Sequence, residues 1–138
     1  LGLENFYLLG HSWGGMLAME YLQKYQDHVK AAVLSNMTAG MKSYVSYTAK
    51  LKQELFTPQE IKKYDSLDKL QLYASPEYQG LLMGKLYPSV LCRLDPWPEA
   101  LMRAFKKLNP SIYIQMQGVD EFHVTGNFKN WEMWDRLP

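Results

Sequence analysis

The sequence is poor in the features that mark several large classes of protein. One cysteine, Cys92, stands among 138 residues, so no intrachain disulfide can form and the fold owes nothing to an oxidising compartment. That slightly favours a cytoplasmic home and leaves export open. No apolar run approaches the ~18 residues that a membrane span requires, and no signal peptide is visible. An excess of one charge sign is also missing. Fifteen Lys and Arg stand against 14 Asp and Glu, a formal charge of +1, which gives no electrostatic reason for a nucleic-acid or anionic-membrane partner. No His, Cys, Asp and Glu cluster has the spacing of a metal site, and neither a metal nor an organic cofactor is expected. What is present is ordinary globular composition: 47% hydrophobic and 21% charged residues, enough for a buried core in a chain of one-domain length. Nothing in these totals speaks to oligomeric state.

The chain opens on Leu1-Gly2-Leu3 without a Met and enters a strand within a few residues, so both ends are read as cuts in a longer protein. Asn5 to Leu9 is a short β-prone apolar run ending at Gly10, the pattern of a buried strand. Gly14 to Tyr25 suits a helix with one buried side, and Val29 to Ser35 reads as a second strand. Strand, tight turn, helix and strand make a βαβ unit, which implies a parallel sheet with a right-handed crossover. After Asn36 the character changes. Helical stretches are expected at about 41–55, 58–72, 76–87, 98–108 and 110–117, with Thr57 and Ser75 as N-caps ahead of Pro58 and Pro76. Pro96 and Pro98 punctuate a connection between helices. The fold class is therefore α/β: a partial sheet core at 1–38, an all-helical insertion at 39–130, and a return to the core at 131–138. Lys50, Lys52, Lys62, Lys63, Lys106 and Lys107 read as solvated helix faces.

Gly10-His11-Ser12-Trp13-Gly14 matches G-x-S-x-G between a strand and a helix, which is the setting of the nucleophile elbow of α/β-hydrolases. Reversing from strand into helix within a few residues strains the nucleophile's backbone. Gly10 and Gly14 are expected to remove β-carbons that would collide. Ser12 Oγ is then lifted clear of the sheet, and the backbone N–H of Trp13 points to where an oxyanion would form. The bland alternative is a tight Gly-rich turn with a bystander serine. Serine at this place, where relatives that open epoxides or displace halides have aspartate, points to acyl transfer through an acyl-enzyme. A serine needs a base, and chain order on this fold runs Ser, then Asp or Glu, then His. His11 reads as packing, His28 as a cap on the end of the elbow helix, and His123 as part of the insertion with Asp120 nearby. The triad is incomplete in this chain.

These residues resemble a known family. LLGHSWGGMLAMEYLQKYQDHVKAAVLSNM is similar to the elbow, following helix and next strand of the proline iminopeptidases, serine peptidases of the α/β-hydrolase fold. SPEYQ (75–79), CRLDPWPEALMRAF (92–105) and SIYIQMQGVDEFHVTGNFKNWEMWDRL (111–137) look like that family's helical cap. The resemblance implies a cap that closes over Ser12 and admits only the N-terminus of a peptide. It carries the glutamate that takes the substrate's free α-amino group onto Glu121, within Gly118-Val119-Asp120-Glu121-Phe122, where the family commonly has Pro and Asn at the places of Val119 and Asp120. It carries a substrate-side tyrosine onto Tyr113. The implied partner is a peptide with N-terminal proline. The implied oxyanion donor besides Trp13 lies before residue 1, and the triad Asp and His after residue 138.

A carboxylate such as Glu121, partly desolvated, can tell a terminal ammonium from an internal amide, at about 4 kcal/mol for 4 Å and an effective dielectric near 20, before desolvation costs. Asp120 is expected at the surface or behind the site. Phe122, Trp97 and Tyr113 could line a slot for a proline ring, though such residues are more often cap core. Arg93 and Cys92 read as cap packing or an internal ion pair. Two other readings stay open: another capped hydrolase (esterase, amidase or lactonase), and a degenerate hydrolase that keeps only the pocket. The chain as given is expected to show no appreciable turnover, and its independent folding is doubtful because a two-strand remnant exposes edges.

Overall fold

The computed structural model describes residues 2–137; Leu1 and Pro138, outer bounds of the expected core segments, lie outside them. The chain divides into two compact units. The first holds the residues up to Tyr44 together with those from Asn130 onward, and the second is Val45–Lys129.

In the first unit, β1 (Phe6–His11) leads into α1 (Trp13–Tyr25), a 3₁₀ turn at Gln26–His28 and β2 (Val29–Ser35). The two strands are parallel, with Tyr7 opposite Ala31 and His11 opposite Ser35, and with an irregularity between Phe6 and Tyr7. A parallel pair cannot be closed by a hairpin and needs a crossover, which α1 supplies. Gly15, Met16, Ala18 and Met19 form the buried side of α1, and the Tyr21 ring lies 6.1 Å from that of Phe6. The strands are not buried as expected: Tyr7 and Leu9 are 77% and 71% exposed. Alternate residues of a strand face opposite ways, and α1 covers only the face that carries Phe6, Leu8 and Gly10. The strand also runs two residues further than its apolar run, through Gly10 to His11.

The end of the chain is tied into this unit. The Met41 N–H donates to the Trp131 carbonyl at 2.9 Å and the Met133 N–H to the Ala39 carbonyl at 2.8 Å, around an antiparallel bridge between Gly40 and Glu132. Glu20 of α1 accepts the Trp131 indole N–H at 2.8 Å and two Arg136 guanidinium bonds at 2.6 and 3.1 Å. These bonds hold Glu20 below its ordinary pKa, Arg136 contributing most.

The second unit is helical: most of α2 (Met41–Leu55), then α3 (Pro58–Lys69), α4 (Pro76–Leu81), α5 (Tyr87–Val90), α6 (Glu99–Lys107) and α7 (Pro110–Met116). Thr57 caps α3 in a full capping box with Glu60, and Ser75 caps α4. α3 stops three residues short of the expected end. Gln71 takes φ 54, and the Leu72 N–H returns to the Leu67 carbonyl at 2.9 Å, a left-handed stop that glycine usually marks. The expected single helix over 76–87 is interrupted by a π turn at Leu82–Leu86. Pro88 has no N–H and its ring would press on the carbonyl four residues back, so the wider turn before it relieves the conflict. The core gathers Leu51, Phe56, Tyr64, Tyr78, Leu81, Leu82 and Leu86, with Tyr87 and Phe122 packed against it. Lys52 departs from its expected solvated role: its Nζ pairs with Asp65 at 3.0 Å and lies 4.8 Å from the centre of the Tyr64 ring.

Candidate active site

Ser12 is the residue on which β1 turns into α1, and it sits at φ 53, ψ −126. An L-residue other than glycine avoids that region at a cost of about 1–3 kcal/mol. The surroundings hold it there. The Ser12 N–H donates to the Ser35 carbonyl at the end of β2, 3.0 Å away, and the Ser12 carbonyl receives the Gly15 N–H at 2.8 Å. The side chain is exposed and caps nothing. Trp13 is the first residue of α1, so its N–H belongs to the positive end of the helix dipole.

The glycines around Ser12 divide differently from expectation. A β-carbon on Gly10 would overlap the Gly14 carbonyl group and come within 2.7 Å of Gly15 Cα, whereas one on Gly14 would meet nothing within 4 Å among the described residues. Gly14 contributes its backbone to the contact, and its own missing side chain faces open space. The second glycine that packing requires is Gly15, whose β-carbon would stand 2.5 Å from Met37 Cγ. The doubled Gly14-Gly15 was the sequence signal for it.

Among the described residues of this unit no base accompanies the serine. His11 is exposed, not packed as expected. His28 follows α1 in the 3₁₀ turn, where its Nδ1 lies 3.4 Å from the Tyr21 hydroxyl and its ring stacks on Tyr25. Neither hydrogen-bonds to Ser12.

Tyr113 and Glu121 belong to the second unit, and there the structure brings them together: the Tyr113 hydroxyl donates to Glu121 Oε1. Glu121 is half-buried on a loop that leaves α7. The Gly126 N–H closes the loop onto the Gln117 carbonyl at 3.0 Å. Gly118, at φ 138, lets the His123 carbonyl approach where any β-carbon would overlap it. Tyr87 feels the site electrostatically: burial pushes its hydroxyl pKa up, and the charges of Glu121 and Asp120 push it further.

Asp120 is not at the surface; it is fully buried. Its Oδ2 accepts the hydroxyls of Tyr64, at 2.7 Å, and of Tyr78. Its Oδ1 accepts the N–H groups of Phe122 and His123 at 2.7 and 3.0 Å. His123 Nδ1 lies 3.3 Å from Asp120 Oδ1, and Nε2 lies 3.2 Å from Asp68 of α3. Burial alone would raise the Asp120 carboxyl, but the bonds from His123, Tyr78 and Tyr64 outweigh it and hold the group below its ordinary value. The bond to Asp120 raises His123, against the opposing effect of burial. Burial first, then the Asp120 charge, pushes Tyr64 up. Sequence reasoning missed Tyr64 and Tyr78, two tyrosines among ten with no local pattern to set them apart.

The remaining candidates make contacts within the second unit, and Arg93 is exposed and, among the described residues, not packed or ion-paired as expected. Phe122 packs edge-on against Phe56 and Tyr64, with ring centres 5.7 and 5.6 Å away. Trp97 stacks on Phe105 and donates to the Cys92 carbonyl at 3.1 Å. Arg93 donates to the Ser89 carbonyl at 3.2 Å. Among the described residues no group of three or more His, Cys, Asp and Glu could hold a metal ion, and no helix is long and apolar enough to cross a membrane.

Comparison with known proteins places these features in a family. The model of the alpha/beta hydrolase fold matches residues 1–133. The proline iminopeptidase of Flavobacterium johnsoniae is 40% identical over 134 residues, 97% of this chain and 45% of that protein. That of Chitinophaga pinensis is 39% identical over 139 residues, 99% of this chain and 46% of that protein. Among solved structures, the crystal structure of VinJ aligns with a TM-score of 0.90 at 28% identity, covering 99% of this chain and 46% of that one. The proline iminopeptidase of Mycobacterium smegmatis aligns at 0.81 with the same identity and coverage. The chain thus spans somewhat less than half the length of these relatives.

Proposed function

The chain belongs to the α/β-hydrolase fold family, and on that footing we propose that it is the nucleophile-bearing and cap portion of a serine aminopeptidase that releases N-terminal proline from peptides. The observation that carries this reading is Ser12, held in a backbone conformation that costs free energy, on a strand-to-helix turn of a chain 40% identical to a proline iminopeptidase. Strain of this kind persists where the surroundings over-determine it, and it clusters at reactive groups.

The mechanism follows from the chemistry of the residues. Ser12 Oγ attacks the carbonyl carbon of the first residue while a histidine from beyond residue 138 takes its proton. The tetrahedral oxyanion is stabilised by the Trp13 N–H and a second donor from upstream of residue 1. Collapse expels the remaining peptide, whose nitrogen takes the proton back from the histidine. Water then attacks the prolyl ester and frees both proline and Ser12. Glu121 receives the substrate's ammonium, and the Tyr113 hydroxyl aims the carboxylate. In this reading 39–130 is the cap, and 1–38 with 131–138 is the core.

The test is made on the full-length protein, with a prolyl anilide and a simple ester compared. Ser12→Ala should abolish both activities. Glu121→Ala should lower the ratio of prolyl to ester kcat/KM by about tenfold or more, the scale of one lost ion pair. Preferred ester turnover by the wild type, with Glu121→Ala silent, would sink the peptidase reading in favour of an esterase or related hydrolase. Absence of any turnover would indicate a degenerate hydrolase.

A further inference from the structure

The buried Asp120 is not used by the chemistry just described, and its bonds show what it does. A carboxylate taken wholly out of water is expensive unless its lone pairs are filled. Here both oxygens are occupied, and besides the His123 ring, whose Nδ1 lies 3.3 Å from Oδ1, the donors fall into two sets. Two are backbone N–H groups, those of Phe122 and His123, which follow Glu121 in the chain. Asp120 therefore closes a tight turn over residues 120–123, with Glu121 at its first corner; the His123 N–H also reaches the Asp120 carbonyl, at 3.4 Å. The other donors are the hydroxyls of Tyr64 on α3 and Tyr78 on α4, two residues of the unit's hydrophobic core. One carboxylate thus ties the turn that carries Glu121 to the two helices behind it.

We propose that Asp120 is a positioning residue for Glu121, fixing through Tyr64, Tyr78 and the 120–123 turn where the amine-binding carboxylate stands. The inference rests on the reading of Glu121 as the anchor of the substrate's amino group. Two sets of contacts orient Glu121: Tyr113 holds its carboxylate, and Asp120 holds the backbone of the two residues that follow it. Loss of the Tyr113 contact frees a side chain that still starts from the right place. Loss of the Asp120 contacts lets that starting point wander, and it takes one buried acceptor away from two core tyrosine hydroxyls, two N–H groups and the His123 ring.

A residue that only stabilised the fold would reduce every activity together. A positioning residue should act on amine recognition, which appears as KM against kcat and as the ratio between substrates. The full-length enzyme is therefore compared, wild type against Asp120→Ala, Asp120→Asn, Tyr78→Phe and Glu121→Ala, on a prolyl anilide and on an ester with no amino group. Asp120→Ala should raise KM for the prolyl substrate by about tenfold to a hundredfold, the range for a lost hydrogen bond to a charged group, with a much smaller change in kcat. The prolyl-to-ester ratio should fall accordingly. Asp120→Asn keeps a carbonyl oxygen for the two N–H groups and should recover most of the loss. Tyr78→Phe should fall between.

Equal losses on both substrates, or an unchanged prolyl KM, overturn the inference. If Asp120→Ala does not fold, Tyr78→Phe decides: a raised prolyl KM supports the inference and an unchanged one sinks it. If Glu121→Ala raises KM and the Asp120 and Tyr78 variants do not, positioning alone is wrong. If Glu121→Ala is silent, the amine-anchor reading fails and this inference falls with it.

Discussion

The carbonyl group of Gly14 occupies the place where a β-carbon on Gly10 would stand. Strand and helix are pressed together backbone to backbone at the bend that lifts Ser12. Gly10→Ala should therefore destabilise the protein by about 3 kcal/mol or more, because backbone cannot move aside as a flexible side chain can. Gly14→Ala has open space among the described residues and a helical position, and should be neutral or stabilising by up to about 1 kcal/mol. Denaturant midpoints of the two variants check the pair, and equal losses would contradict the contact.

Ser12 supplies a second contrast. Glycine adopts φ 53 without a side-chain penalty, so Ser12→Gly should gain about 1 kcal/mol of stability. Ser12→Ala keeps the strain and should gain nothing. Both should cost the full-length enzyme about four or more orders of magnitude in kcat. Thermal melts alongside activity assays separate the two effects.

Tyr113→Phe removes the hydroxyl that donates to Glu121 and keeps the ring. KM for prolyl substrates should rise about threefold to tenfold, less than the full loss of a hydrogen bond to a charged group because the Glu121 carboxylate itself is kept. The ester reaction should respond less. A Tyr113→Phe enzyme with an unchanged prolyl KM would leave that hydroxyl without a functional part.

The Asp120–His123 couple predicts a pH window. Asp120 is depressed in the folded state, so its contribution is present above its unfolded pKa and is lost as pH falls through the folded one. His123 is raised, so its contribution is full below its unfolded pKa and is lost as pH rises through the folded one. The couple should be strongest between roughly pH 4 and pH 6.5, the ordinary values of the two groups. The Tm difference between wild type and His123→Gln should be greatest in that window and shrink at higher pH. A difference that grows from neutral to alkaline pH would have the wrong sign.

Local structure was legible wherever local chemistry decides it. The run before Gly10, the G-x-S-x-G spacing and the apolar side of α1 foretold strand, elbow and helix. The resemblance to proline iminopeptidases and the α/β-hydrolase fold class are borne out by the family match and by relatives near 40% identity. Thr57 and Ser75 cap their helices because a hydroxyl ahead of Pro meets N–H groups within a few residues. Where a stop lacked its usual mark the reading overran: Gln71 ends α3 in a conformation that glycine normally signals, and the π turn before Pro88 left no signature in hydrophobic spacing.

The sequence alone determined most of the elements, the bend at Ser12 and the residue types available for chemistry, since these depend on neighbours a few positions apart. Only the tertiary structure decided that Asp120 is buried, that Tyr64 and Tyr78, 56 and 42 residues away, supply its hydroxyl bonds, and that Gly15 rather than Gly14 needs its missing side chain. Such facts depend on which distant groups share one volume and must satisfy each other's hydrogen bonds there, and no local pattern records that.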